Sequence, residues 1–174
     1  MGWEQFCYKR MELDYSIEVE AYRRLQPFQG RHIPTFYGEA KLLTTDVSRA
    51  ITRRTILIEF IPNALPINEV NKDIIAPTFA KSFLKLLKAF HALGVIHNDV
   101  HEANILVSSS EDGEARAFFI DFGQACLRMG KTDAEWALTV HQQADTRFML
   151  RQLQACLGTD NLPSFIGEPL DVYA

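Results

Sequence analysis

Gly94 to Val107 reads G-V-I-H-N-D-V-H-E-A-N-I-L-V. Within it His97, Asp99 and Asn104 fall in the pattern H-x-D-x-x-x-x-N, ahead of the apolar run Ile105-Leu106-Val107. A second signal follows: Phe118-Phe119-Ile120 leads into Asp121-Phe122-Gly123. Taken singly these features are common. A strand-loop-strand unit with one hydrogen-bonded histidine and two solvated acids would carry them all. Order and context weigh against that plain reading. A helical pattern ending in Gly94 precedes the loop, an apolar strand follows Asn104, and another apolar strand runs straight into Asp121. Motif and flanking structure agree, which is what gives a short motif its weight.

Upstream of the loop, Pro77-Thr78 opens a strongly periodic segment in which Phe79, Phe83, Leu86, Leu87, Phe90 and Leu93 share one face until Gly94 stops it. That stripe is a core face. Further back, Thr55 to Ile61 is rich in β-branched and aromatic residues and predicts a strand, and Pro66 to Ile75 a short helix. Polar residues between Lys41 and Arg54 predict a hairpin loop, preceded by a strand at Ile33 to Gly38. Pro27 to Gly30 breaks a helix over Ile17 to Leu25, for which Asp14 and Ser16 offer N-cap chemistry. Trp3 to Met11 fits a short strand. Downstream, Ser108 to Gly113 reads as a hairpin turn. Asp133 to Leu157 reads as helical, with Trp136, Val140, Phe148, Leu150, Leu153 and Leu157 as packing residues, Gly158 as the stop, and an irregular tail containing Pro163, Gly167 and Pro169.

The 174 residues, 47% hydrophobic, suit one globular domain or two very small lobes. A net charge of -4 offers no basic excess and argues against a nucleic-acid partner. Lys81, Lys85 and Lys88 have helical spacing and read as a solvated face. Cys7, Cys126 and Cys156 are odd in number and in no metal-ligand spacing, so unpaired buried thiols in a reducing compartment are expected. Glu4, Lys9 and Arg10 interrupt any signal-peptide core, and no apolar run is long enough for a bilayer. A cytoplasmic location, or a nuclear one, and no membrane partner are the expectations.

The loop and the D-F-G triplet together resemble the catalytic loop and metal-binding segment of the protein-kinase-like superfamily. The resemblance spans roughly Lys9 to Gly123. Glu18 to Leu25, Gln29-Gly30 and Ile33 to Gly38 further resemble small kinase-like proteins of filamentous fungi. It implies an α+β, two-lobed fold with a shortened N-lobe over residues 1–61, ending at a hinge, and a minimal C-lobe over residues 62–174. The implied activity is transfer of the ATP γ-phosphate, with Mg2+, to a hydroxyl of a protein or a small molecule. Asp99 takes the catalytic-base role, Asn104 and Asp121 the metal, and His97 a structural one. Glu18 becomes the inward glutamate of helix C, chosen over Glu20 because it shares a face with Tyr22 and Leu25, with Lys9 as its lysine partner. Ile58 becomes the gatekeeper, and Glu59 to Ile61 offer backbone groups to adenine. His101, two residues past Asp99, resembles aminoglycoside and choline kinases and tilts the acceptor away from protein. No G-x-G-x-x-G precedes Lys9 and no A-P-E follows Gly123. The alternative is therefore a pseudokinase acting as a binding module.

Overall fold

No glycine or proline stands between Trp3 and Gln26, and the chain there forms one continuous helix. In the computed structural model, which describes residues 3–42, 54–75, 77–109 and 115–158, helix α1 runs Trp3–Arg24. The short strand expected at Trp3 to Met11 is thus corrected, as is the cap at Asp14 and Ser16. Glu12, Lys9 and Met11 are good helix formers, and nothing breaks the pattern before Pro27. Asp14 pairs with Arg10 one turn back at 2.9 Å. Ser16 Oγ donates to the Glu12 carbonyl at 2.8 Å, the way a serine inside a helix satisfies itself.

Strands β1 (Phe36–Lys41) and β2 (Arg54–Ile58) form an antiparallel pair with a bulge between Phe36 and Gly38. Strand β3 (Ala64–Pro66) pairs with β5 (Ile105–Ser109), and β5 with β6 (Ala115–Phe119), so three short strands make an antiparallel sheet in the order β3-β5-β6. Strand β4 (Val95–Ile96) pairs with β7 (Cys126–Leu127). The expected Pro66–Ile75 helix is two single 3-10 turns, Ile67–Glu69 and Lys72–Ile74. The expected strand over Thr55 to Ile61 ends at Ile58, before the Pro62-Asn63 turn where Asn63 takes φ 54°. The loop expected between Lys41 and Arg54, most of the turn after Ser109, and the tail beyond Gly158 lie outside the described residues.

Helix α2 (Pro77–Ala92) puts Phe83, Leu87 and Phe90 into the core with no exposure, as its periodicity predicts, and buries Leu84 as well, which the stripe did not include. Leu93 lies past the helix end and is exposed. Gly94 takes φ +76°, and a Cβ there would meet the Arg128 Cβ at 3.0 Å, so only glycine fits this stop. The predicted C-terminal helical stretch is two helices, α3 (Asp133–Gln143) and α4 (Asp145–Leu157), divided at Ala144, which adopts φ 59°. Trp136 and Leu153 are buried as expected, and Leu150 and Leu157 pack on the core. Phe148 is exposed, because it turns to the solvent side of α4 beneath Arg151. Gly158 caps α4 in the left-handed conformation.

Aromatic rings make the core continuous from α1 to the loop. Phe90 meets Phe28, Phe119 and Phe122 edge-on, with centroids 5.1 to 6.2 Å apart. The three cysteines are free and half-buried rather than buried. Among the described residues no helix is long and apolar enough to cross a membrane.

Candidate active site

Strand β4 delivers the chain into the loop, and the loop is then held by its own histidine. His97 is fully buried. Its Nε2–H donates to the Ile120 carbonyl at 3.0 Å, and its Nδ1 accepts from the Asp99 amide at 3.3 Å. One nitrogen donates and the other accepts, so the ring sits here as the neutral tautomer. Burial pushes its pKa below the ordinary histidine value, against the nearby Asp145, Asp99 and Asp121 charges. His97 is a strut between Asp99 and the segment that carries Asp121.

Asp99 presents a carboxylate that is more than a third exposed. Asn104 is buried, and its Nδ2 donates to the Asp99 carbonyl and to Asp99 Oδ2, both at 3.1 Å. With its amide nitrogen turned to Asp99, Asn104 has its side-chain oxygen free to face a ligand. The Asn104 carbonyl accepts from the Ile120 amide at 3.1 Å, which sets Asn104 beside the residue preceding Asp121. Asp121 is exposed and takes φ 60°; its Oδ1 accepts from the Gly123 amide at 3.2 Å, so Oδ2 points away from that turn's donor. His101 accepts from the Ala103 amide on Nδ1 at 3.3 Å, which leaves the proton on Nε2, 3.5 Å from Asp99 Oδ2.

These donors suit magnesium. A carboxylate and an amide oxygen are hard ligands, and this ion usually takes one or two protein oxygens, keeping waters and substrate phosphates for the rest. Asn104 and Asp121 would hold it. When bound, it would neutralise phosphate charge during transfer.

Glu18 lies against the D-F-G turn, where the Phe122 backbone amide and the Asp121 charge both act on its carboxyl. Glu20 turns outward into an ion pair with Arg24 at 2.8 Å. Burial first, then the Asp121 charge, raises the Glu18 pKa to about 7. The cation expected beside it is not Lys9. That residue is exposed on the same helix, roughly 13 Å along the axis at 1.5 Å per residue, and the Lys9–Glu18 pairing is corrected by the continuity of α1. Above Glu18, the Tyr22 hydroxyl is buried without a hydrogen-bond partner. Its ring stacks on Phe36 at 5.6 Å and meets Phe122 edge-on at 5.4 Å, and Phe122 in turn packs 4.8 Å from His97.

Glu59 and Ile61 follow β2 where a hinge was expected. The Glu59 amide donates to the Thr35 carbonyl at 2.8 Å, and its carboxylate accepts from Thr35 at 2.7 and 2.9 Å. The side chain is therefore an anchor to the segment before β1. What Glu59 presents elsewhere is its carbonyl.

The residue that sequence reasoning missed is Asp145, the first residue of α4. It is buried, and it accepts from the His97 amide at 2.7 Å, the Asn98 amide at 2.8 Å and His91 Nε2 at 3.3 Å. Asn98 takes φ 62° and also donates from Nδ2 to the Gln124 carbonyl. One carboxylate from a distant helix thus fixes the two residues ahead of Asp99. The Trp136 indole donates to the His91 carbonyl at 2.9 Å, tying α3 into the same cluster. A lone aspartate in a mixed helical stretch gives no local signal of this.

Comparison with known proteins places the chain among kinases. The model of the lipopolysaccharide kinase (Kdo/WaaP) family matches residues 48–155. The solved structure of WaaP in complex with acyl carrier protein superposes with a TM-score of 0.52 at 16% identity, over 90% of this chain and 70% of that one. At that identity the likeness speaks for a shared fold, α+β and kinase-like. No curated protein sequence matches the chain.

Proposed function

This chain belongs to the lipopolysaccharide kinase (Kdo/WaaP) family, and from that membership we propose that it moves the γ-phosphate of ATP to a hydroxyl of a small molecule, with magnesium held by Asn104 and Asp121. The fold and the kinase-like phosphotransferase class come with the family. The donor site, the metal and the acceptor are our reading.

The observation that carries it is the convergence of three polar groups from two loops. Asn104 bridges to Asp99 through Nδ2 and to Ile120 through its carbonyl. Asp99, Asn104 and the residue preceding Asp121 are thereby joined by one hydrogen-bond network, which supports reading them as base, amide ligand and carboxylate ligand. Phosphoryl transfer needs little covalent help from protein; it needs in-line positioning and charge stabilisation. Asp99 Oδ1 and Oδ2 would orient the acceptor hydroxyl and take its proton as the phosphorus–oxygen bond forms. The His101 Nε2–H, 3.5 Å from Oδ2, would keep that carboxylate aimed. A histidine at this place supports a small-molecule acceptor over a protein one. The backbone of Glu59 and Ile61 would meet adenine.

A second reading, a binding module without turnover, has one observation in its favour: among the described residues no cation acts on Glu18, whose neighbours are the Phe122 amide and the Asp121 carboxylate. The two readings part on magnesium. Asp121→Asn should weaken MgATP binding at least about tenfold, the loss of one charged ligand, while metal-free ATP binding changes little. Titration calorimetry with and without magnesium reads this directly. Equal losses in both conditions would remove Asp121 from the metal, and absence of nucleotide binding in the wild type would favour the binding module.

A further inference from the structure

A cavity of about 1040 Å3 opens at the start of β6, whereas Asp121 follows its end. Ala117 and Asp121 are four residues apart, roughly 13 Å of extended chain, so this cavity is separate from the candidate active site. Its wall includes Arg31, from the turn after the Gln26–Phe28 3-10 helix, and Arg116, from β6. Both are exposed, and both charges act on His32 between them. Two guanidiniums thus line one cavity from separate elements, and among the described residues of that lining Asp73 supplies a carboxylate. Guanidinium pairs recognise phosphate oxygens in a planar, two-pronged way.

The opposite wall is of different chemistry. Thr78 and Ser82 come from the first turns of α2. Ser82 gives its proton to the Phe79 carbonyl at 2.6 Å, so its oxygen faces a ligand with lone pairs only. Asp73 likewise accepts and cannot donate when ionised. A ligand that satisfies both walls carries an anion at one end and hydroxyl donors at the other. Small-molecule sites commonly enclose about 300–1,000 Å3, which suits a compound of sugar-phosphate size. We propose that this cavity is a second ligand site, taking a small phosphate ester that also bears hydroxyl groups.

The site is wired to the strand that leads to Asp121. His32 Nδ1 donates to the Ala117 carbonyl at 3.3 Å, and the His32 carbonyl accepts from the Phe119 amide at 2.8 Å. A ligand gripping Arg31 and Arg116 therefore clamps β6 from both sides of His32. Its signature is a change at the Phe119 amide.

The test requires no turnover, so its outcome is independent of the phosphotransferase reading. The full chain, labelled with nitrogen-15, is titrated with inorganic phosphate, glucose 6-phosphate and glucose at constant ionic strength. The same titrations are run on Arg31→Gln and Arg116→Gln, both exposed positions, with the amide spectrum of each variant checked first against the wild type for an unchanged fold. Saturable shifts are expected at residues 30–32 and 115–119. Glucose 6-phosphate should bind at least about tenfold tighter than phosphate, each variant should weaken it at least about tenfold, and glucose should not bind. Shifts elsewhere only, no saturation, or unchanged affinity in either variant would overturn the site. Equal affinity for phosphate and glucose 6-phosphate would overturn the hydroxyl-binding wall.

Discussion

Replacing Asp145 by alanine tests whether a single buried carboxylate holds the loop. Asp145 accepts two backbone N–H bonds, from His97 at 2.7 Å and Asn98 at 2.8 Å, and a third from His91 at 3.3 Å. A hydrogen bond to a charged group contributes about 1.5–3 kcal/mol, and a buried donor left without a partner costs about 1–3 kcal/mol. The His97 amide is buried and has no water to turn to. Two lost bonds at about 1.5–2.5 kcal/mol each give about 3–5 kcal/mol for Asp145→Ala, in line with breaking a buried charge cluster. For a chain of this size each kcal/mol moves the melting temperature by about 2–4 °C, so a fall of roughly 6–20 °C is expected. Asp145→Asn retains one acceptor oxygen but turns an NH2 toward a backbone donor. It should fall between the wild type and the alanine variant. Differential scanning calorimetry of the three proteins at one pH measures the order. A melting temperature for Asp145→Ala within about 2 °C of the wild type would refute the argument.

Glu18 gives a pH-dependent counterpart. Its folded pKa, raised to about 7, exceeds the unfolded value, so its contribution to stability is complete below about pH 4.5 and is lost as pH rises through 7. In EDTA, Glu18→Gln should therefore gain on the wild type between pH 5 and 8.5, by about 1–2 kcal/mol once solvent screening of a partly exposed group is allowed for; a flat difference across that range would show that Glu18 is neither buried nor held against Asp121. Phe83→Ala should lower stability by about 3–5 kcal/mol, since Phe83 is fully buried among Phe79 and Phe119. An unchanged urea midpoint would mean that the face of α2 is wrong. The magnesium dependence of Asp121→Asn, set out above, completes the group.

Where the sequence pattern was strong, it carried through to the structure. The apolar repeat of α2, the stop at Gly94 and the run into Asp121 all rest on local periodicity and glycine geometry, which are written in adjacent residues. The inward face of Glu18 and Tyr22 was legible for the same reason. The start of α1 was not. Aromatic residues at Trp3, Phe6 and Tyr8 suggest a strand, yet the segment has no breaker and continues a helix already begun. That error also misplaced Lys9. Asp145 was invisible because its partners, His97 and Asn98, are 48 and 47 residues earlier in the chain. No window of sequence contains both. The half-buried cysteines and the outward Phe148 belong to the same class of miss, since their exposure depends on which helix faces arrive at the core.

The central claim is that Asp99 acts on the acceptor while Asn104 and Asp121 act on magnesium and phosphate. Its most direct measurement is phosphate release from γ-labelled MgATP, including slow hydrolysis to water, for the wild type and Asp99→Ala, with nucleotide affinity determined on both. The account predicts measurable release by the wild type and its loss in Asp99→Ala, a fall of at least about a hundredfold if the base contributes as general bases usually do, with ATP affinity within about twofold. Release that survives the substitution undiminished would contradict it.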